Sequence, residues 1–132
     1  MREKGRGMSK IERFEDIIAW QKARVLTREI YKVTRQSNFA RDFGLSSQIQ
    51  RAAVSVMSNI AEGFERAGLG ERVQFVSIAK ASCAEVRSQL YIALDVEYIS
   101  PEQFNDLITK SEEIGRMLGK LHSVLSDKRN AN

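Results

Sequence analysis

The chain lacks most of the residue types on which cofactor and metal chemistry depend. It has one cysteine, Cys83, and one histidine, His122, in 132 residues. A single cysteine excludes an intramolecular disulfide, and so few Cys and His residues cannot form a zinc cluster. No apolar run approaches the roughly 18 residues of a membrane-spanning helix, and the opening MREKGRGMSK has no signal-peptide centre. We therefore expect a cytoplasmic protein with no cofactor, no metal and no membrane partner.

Proline and glycine are scarce where they would interrupt helices. The one proline is Pro101, and no strand-like alternation or internal repeat is present. Breaker residues divide the chain into four segments, which predict helices over residues 13–36, 46–66, 70–97 and 101–126. Short connections, the longest at residues 37–45, favour antiparallel neighbours. The predicted fold class is all-α, an antiparallel up-down-up-down four-helix bundle. It forms one domain (13–127) between a flexible basic leader (1–12) and a tail (128–132).

The fourth segment begins with a clear start signal for a helix. In SPEQ, Ser100 can cap the helix, Pro101 suits its first position, and Gln103 completes a capping box. We expect helix four to begin there.

The second segment carries a glycine on its apolar side. At 100° per residue, Gly63 falls with Val56 and Ile60 and therefore faces the core. A glycine there either lets a neighbouring backbone approach closely or ends the helix. The sequence leaves both possibilities open.

A polar stripe borders this apolar side, and two readings of it remain. Its members are short polar groups with charges at both ends: Arg51, Ser55, Ser58, Asn59, Glu62 and Arg66. Polar groups at a core boundary need partners, so we expect hydrogen bonds across a helix contact, within or between subunits. The alternative is a ligand site at Asn59 and Glu62. No histidine, nucleophile or second carboxylate is spaced to assist Glu62, so we predict no catalytic residues.

Apolar residues outside the expected core point to self-association. Ile18 and Val25 lie away from the inward side of helix one, and Ile78 and Ile92 form a second stripe on helix three. A monomeric bundle needs one apolar face per helix, although a broad core could absorb some of these residues. We therefore predict a homo-oligomer, whose interface uses residues from both kinds of stripe: Ile18, Val25, Ser55, Asn59, Glu62, Arg66, Ile78 and Ile92.

The positive charge is concentrated in the first part of the chain. The net charge is +4, yet residues 1–51 contain 12 basic and 6 acidic side chains. Arg24, Arg28, Lys32 and Arg35 fall within a sector of about 80° on helix one. Such a stripe can follow the phosphates of a nucleic acid, although a solvated charged surface has the same pattern. Trp20 and Tyr31 can stack on bases, but their spacing favours packing in the core or at an interface.

Three stretches of the chain carry a family resemblance. They are FEDIIAWQKARVLTREIYKVT (14–34), FGLSSQIQRAAVSVMSNIAEGFER (43–66) and QFVSIAKASCAEVRSQLYIALDVEYIS (74–100). They resemble the four-helix-bundle proteins encoded in intervening sequences of bacterial 23S ribosomal RNA genes. The resemblance implies a ring-shaped homopentamer, with nucleic-acid binding the usual suggestion and no established catalytic residues. The family often has proline where this chain has Met57.

Two function hypotheses follow. The first is a non-enzymatic homo-oligomer that binds RNA or DNA through Arg24, Arg28, Lys32, Arg35 and the basic leader. The second is a protein-partner adaptor or scaffold, such as the related bundle that serves as accessory protein to a reverse transcriptase.

Overall fold

The computed structural model describes residues 11–131, and within them it has five α-helices and no strand. A 3-10 turn, Phe14–Asp16, precedes the first helix. The helices are α1 (Ile18–Thr34), α2 (Ser37–Arg41), α3 (Phe43–Glu65), α4 (Leu69–Asp95) and α5 (Pro101–Ala131). The all-α prediction is confirmed, with the four long helices forming the bundle.

The four long helices stand at the corners of a square, in which each contacts two neighbours. α3 packs against α1 and α4, and α5 packs against α4 and α1. Thr27 meets Ala53, and Thr34, seven residues later, meets Gln50, so α1 and α3 run in opposite directions. The other neighbouring pairs are antiparallel by the same test. Between α3 and α4, Ser55 meets Ser82 and Gln48 meets Gln89, and between α4 and α5, Cys83 meets Ser111 and Tyr91 meets Phe104. Between the α1 and α5 regions, Lys22 meets Glu113 and Gln36 meets Gln103. The up-down-up-down order is therefore the one predicted.

The core runs along the centre of this square. Apolar side chains recur at three- and four-residue steps on the inward side of every long helix, as an amphipathic helix requires. The largest fully buried apolar side chains come from all four long helices and from α2: Phe39, Leu26, Ile30, Ile49, Leu90, Leu107, Ile114 and Leu118. Burying each such side chain contributes about 1.5–3 kcal/mol, so this core is the main source of stability.

Gly63 permits the close approach of α3 and α4. A Cβ atom placed on Gly63 would lie 3.0 Å from the Cβ of Phe75, and α3 continues past Gly63 to Glu65. The glycine therefore serves helix packing, and α3 ends at Glu65, before Arg66, whose backbone is extended. Of the two possibilities that the sequence leaves open, the structure shows the first.

Three predicted boundaries differ from the structure. α1 begins at Ile18 instead of residue 13, because Phe14–Asp16 forms a 3-10 turn and Ile17 is extended. The predicted connection 37–45 holds α2 and the start of α3, where the Asp42 carboxylate caps the helix by accepting from the Leu45 amide at 3.0 Å. α5 continues to Ala131, so residues 128–131, predicted as a tail, are helical. Residues 1–10 of the predicted leader lie outside the described residues.

The capping box at the start of α5 is confirmed. The backbone N–H of Gln103 donates to the Ser100 hydroxyl at 3.0 Å, and the backbone N–H of Ser100 donates to the side-chain oxygen of Gln103 at 2.9 Å.

Both ends of the described chain lie at the same end of the bundle. Ile11, before α1, and Leu125, near the end of α5, line one apolar cavity of about 390 Å³ beside Gly63. The two ends lie together because an even number of antiparallel long helices returns the chain to the end at which it started.

Candidate nucleic-acid and subunit interfaces

The square arrangement gives the bundle four faces, each named here by the two helices that border it. The α3/α4 face lies opposite the α1/α5 face, and the α1/α3 face lies opposite the α4/α5 face. The site residues predicted from sequence fall on the first three of these faces.

The polar stripe of α3 forms hydrogen bonds within the subunit, on the α3/α4 face. The hydroxyls of Ser55 and Ser82 lie 2.8 Å apart, which joins α3 to α4. The Asn59 amide donates to the Ser55 carbonyl oxygen at 2.8 Å and to its hydroxyl at 3.0 Å. Sequence reasoning missed Ser82, although its position four residues after Ile78 places it on the same side of α4. Ser55 therefore has a hydrogen-bond partner across a helix contact, whereas Asn59 bonds within its own helix.

Glu62 and Arg66 lie at the end of this stripe and pair with each other. The Arg66 guanidinium donates to the Glu62 carboxylate at 2.9 Å and lies 4.9 Å from the centre of the Phe75 ring. The side-chain amide of Asn59 is directed to Ser55. Asn59 and Glu62 thus have separate hydrogen-bond partners, and their side chains do not form the shared ligand site considered from the sequence.

An apolar row follows the α3/α4 face on the α4 side. Ile78, Ile92 and Val96 are 41%, 48% and 51% exposed. Helix geometry places them within about 40° of one another, beside Ser82 and Gln89, which bond to α3. Ile78 and Ile92 were predicted separately from the α3 stripe, and the structure joins both stripes into one surface.

Gln89 leaves a buried acceptor at this surface. Its side-chain nitrogen donates to the side-chain oxygen of Gln48 at 3.2 Å. Its own side-chain oxygen is buried and has no hydrogen-bond partner among the described residues. Buried acceptors in native proteins are nearly always paired, which makes this oxygen an exception among the described residues.

Ile18 and Val25 lie on the opposite side of the bundle. Ile18 is 52% exposed and Val25 is half-buried, and seven residues of helix place them about 20° apart. Between them in sequence, Lys22 forms an ion pair with Glu113 of α5 at 3.3 Å. The predicted interface residues therefore occupy two opposite faces.

All four predicted phosphate-binding residues are exposed, three on α1 and Arg35 directly after its last residue. The Arg24 guanidinium lies 5.9 Å from the centre of the Trp20 ring, and that of Arg35 lies 5.8 Å from the Tyr31 ring. The Glu29 carboxylate lies 3.9 Å from Arg28 and 3.7 Å from Lys32. Exposed ion pairs of this kind are worth at most about 1 kcal/mol, so the two cations stay available to a polyanion.

Aromatic side chains accompany Arg24 and Arg35 on the side of α1 towards α3, whereas Lys32 lies within about 20° of Val25 on the side towards α5. Trp20 and Tyr31 are half-buried, and Phe14 packs edge-on against Trp20 at 5.2 Å. Phe43, the first residue of α3, is 80% exposed. Sequence reasoning placed Phe43 in a connection and attached no role to it.

The α4/α5 face carries basic residues that the sequence analysis also missed. Lys80 and Arg87 of α4 extend over Gly119 and Gly115 of α5, and Arg116 lines the same shallow cavity of about 460 Å³. Their separation in sequence, across two helices, hid this cluster.

Comparison with known proteins agrees with the architecture. Residues 15–120 match the family model described as 23S rRNA-intervening sequence protein. The chain belongs to this family. A crystal structure from Bacteroides thetaiotaomicron, of a protein of unknown function from the S23 ribosomal protein family, superposes with a TM-score of 0.74. It is 23% identical and covers 80% of this chain and 96% of its own, and this likeness shows the fold alone. No curated protein matches the chain.

Among residues 11–131, Cys83 is a buried titratable group in the core. Burial raises the pKa of the Cys83 thiol, which donates to the Ser111 carbonyl oxygen at 3.6 Å. A thiol held protonated in this way is a poor nucleophile. No three His, Cys, Asp or Glu side chains of residues 11–131 come together as metal ligands. Over the same residues, no helix is both long and apolar enough to cross a bilayer.

Proposed function

We propose that this protein is a non-enzymatic, homo-oligomeric, cytoplasmic protein that binds RNA through the basic surface of α1. The observation that carries the proposal is the exposure of Arg24, Arg28, Lys32 and Arg35 along one helix. From first to last they span 11 residues, or about 16 Å of helix. A row of this length reaches several consecutive phosphates.

The side chains in the row suit phosphates better than they suit a closed network of ion pairs. Three of the four are arginines, whose planar guanidinium donates to two phosphate oxygens at once. Glu29 is the single acidic residue between Arg24 and Arg35. Neutralising phosphates releases counterions, which makes such binding weaken as salt rises. The contacts are to the nucleic-acid backbone, so we expect little sequence preference.

The proposed assembly uses the two opposite apolar faces. If the α3/α4 face of one copy packs on the α1/α5 face of the next, the contact is heterologous, and repetition closes a ring when the rotation permits. We propose five copies, the number that the family resemblance implies. This arrangement leaves Arg24 and Arg35, on the side of α1 towards α3, uncovered in every copy. Repeated basic rows on one particle would then strengthen binding through avidity.

A charge-reversal experiment tests the RNA proposal. Arg24, Arg28 and Arg35 are replaced together by Glu, and binding to a fluorescent structured RNA is followed by anisotropy between about 50 and about 200 mM salt. We expect the native protein to lose affinity steeply over this range, and the variant to bind at least tenfold more weakly at low salt with a shallower salt dependence.

The α4/α5 face provides the matched control. Replacing Lys80, Arg87 and Arg116 by Glu changes the net charge equally but leaves α1 intact. If this control loses as much affinity as the α1 variant, net charge and not the α1 row governs binding. If neither salt nor the α1 variant affects binding, the proposal is wrong.

An adaptor function is the second candidate, and the α3/α4 face favours it. The apolar row with the unpaired Gln89 oxygen is suited to another polypeptide as well as to a second copy. Co-purification from the native host distinguishes the two functions. A defined partner that survives nuclease treatment and is lost in an Ile92→Glu variant supports the adaptor, whereas nuclease-sensitive RNA lost in the α1 variant supports RNA binding.

A further inference from the structure

A notch with an exposed aromatic side chain lies where α1, α2 and α3 meet. Its volume is about 590 Å³, and its lining combines an arginine, an aromatic ring and small polar groups: Thr34, Arg35, Ala40, Phe43, Ser46, Ser47 and Gln50. We propose that this notch binds an unpaired base of single-stranded nucleic acid, stacked on Phe43, with Arg35 at an adjoining phosphate. The proposal rests on the proposed nucleic-acid function and names the kind of strand that is bound.

The position of Phe43 is fixed by the fold. Phe39, four residues earlier in α2, is fully buried and stacks on Tyr98 with ring centres 5.1 Å apart. The carboxylate of Asp42, next to Phe43, accepts from the Leu45 amide at 3.0 Å and from the Tyr98 hydroxyl at 2.8 Å. Phe43 is thus presented to solvent from an anchored backbone, which lowers the entropic cost of stacking a base on it.

The polar groups of the notch suit the edge of a base. The Gln50 side-chain nitrogen donates to the Thr34 hydroxyl at 2.9 Å, a bond that fixes the amide and does not use its oxygen. Ser47, also in the lining, is half-buried and supplies a hydroxyl. A base stacked on Phe43 has donors and acceptors of its own along its edge, which these groups can meet.

The charges around the notch suit a phosphate backbone. Arg35 and Arg41 are exposed at the ends of α1 and α2, and Arg51 is exposed two turns along α3. The nearby acid, Asp42, already has both carboxylate oxygens in hydrogen bonds. From the notch, the α1 row continues through Lys32 and Arg28 to Arg24. A strand that stacks at Phe43 can therefore lay its phosphates along α1, as in other single-strand sites that combine aromatic platforms with a basic track.

Stacked bases inside a duplex cannot reach Phe43, so the notch distinguishes single strands from duplexes. The test uses three labelled probes of about 12 nucleotides: an oligouridylate, the same backbone without bases, and a duplex. We expect the native protein to bind the oligouridylate about 5- to 100-fold more tightly than the abasic strand, the range that base–aromatic stacking supplies. Phe43→Leu, which keeps an apolar side chain, should remove this preference, and Phe43→Tyr should keep it.

Trp20, the sole tryptophan of the sequence, gives an independent readout on the same face. Its fluorescence should change on addition of the oligouridylate to the native protein and to Phe43→Tyr. Equal binding of the oligouridylate and the abasic strand overturns the base-stacking inference while leaving the phosphate-binding function standing. Absence of binding to any probe overturns both. A change of particle mass in Phe43→Leu, without loss of base preference, shows instead that Phe43 is a subunit contact.

Discussion

At the residue scale, the hydrophobic pattern can place a residue on the core side of a helix and still leave two structural roles possible. The periodicity of α3 predicted that Gly63 faces the core, and it does. Whether the glycine ended the helix or let a neighbour approach depended on Phe75, 12 residues away in another helix. The same limit applies to Phe39 and Phe43, where one is fully buried and the other 80% exposed. Only the path of α2 separates them.

Gly63→Ala should destabilise the protein despite the better helix propensity of alanine. The added methyl group would meet the Phe75 Cβ at 3.0 Å, which forces α3 and α4 apart. Overpacking costs about 1–3 kcal/mol and outweighs a propensity gain of up to about 1 kcal/mol. Urea denaturation should therefore show a lower midpoint.

The control for this substitution is Gly44→Ala on the same helix. A Cβ there meets nothing closer than 3.6 Å, so we expect stability unchanged or raised by less than about 1 kcal/mol. Equal effects at both positions would mean that close helix packing does not explain Gly63.

At the element scale, the sequence predicted correctly those features whose interacting residues lie close together in the chain. The Ser100–Gln103 capping box depends on four consecutive residues, and it forms as predicted. α2 and the late start of α1 were missed because tertiary contacts decide them. α2 is five residues long and holds the buried Phe39 against Tyr98, a residue that follows α4. The residues near Phe39 in the sequence do not show that it will contact Tyr98.

The bond between Tyr98 and Asp42 ties the start of α3 to the α4–α5 connection, and it should make stability depend on pH. The Leu45 amide and then the Tyr98 hydroxyl lower the pKa of Asp42. The bond to Asp42 and then burial raise the pKa of Tyr98. The Asp42 contribution is present above the ordinary carboxyl pKa of about 3.9 and is lost as pH falls through the lowered native value. The Tyr98 contribution is present below a pH of about 10 and is lost as pH rises through the raised native value.

Tyr98→Phe should therefore remove the alkaline loss of stability that comes from Tyr98. It should reduce the acid loss without abolishing it, because the Leu45 amide still lowers the pKa of Asp42. Denaturation midpoints measured from pH 3 to pH 11 check this. Tyr91→Phe, which removes a hydroxyl that does not bond to Asp42, is the control. An alkaline loss that persists undiminished in Tyr98→Phe would contradict the assignment.

At the scale of the whole molecule, the sequence predicted the bundle but not the relation between its surfaces. Four long amphipathic segments with short connections leave few other folds, which is why the architecture could be predicted. The stripes on α1, α3 and α4 were also visible as patterns. That Ser55 and Ile78 share one face, with Ile18 opposite, follows only from the arrangement of the helices around the core.

Replacing both Ile78 and Ile92 by Glu should break the proposed assembly. Both side chains are about half exposed in the single chain, so the bundle should stay folded, whereas two buried charges would oppose association. We expect light scattering to show a multimer for the native protein and a mass near 15.0 kDa for the variant, with unchanged circular dichroism. Ala84→Glu adds charge to the side of α4 that faces Lys80 and Arg87 and should leave the mass unchanged. A native protein that is already monomeric at micromolar concentration would end the oligomer proposal.

The meeting of Ile11 and Leu125 at one cavity means that the order of the helices along the chain is not essential to how they pack. A short linker joining the two ends, with the chain reopened at residues 66–68 between α3 and α4, would retain every helix contact of the bundle. Such a circular permutant would move the new ends beside the α3/α4 face, where tags or fused domains could report directly on whether that surface is covered.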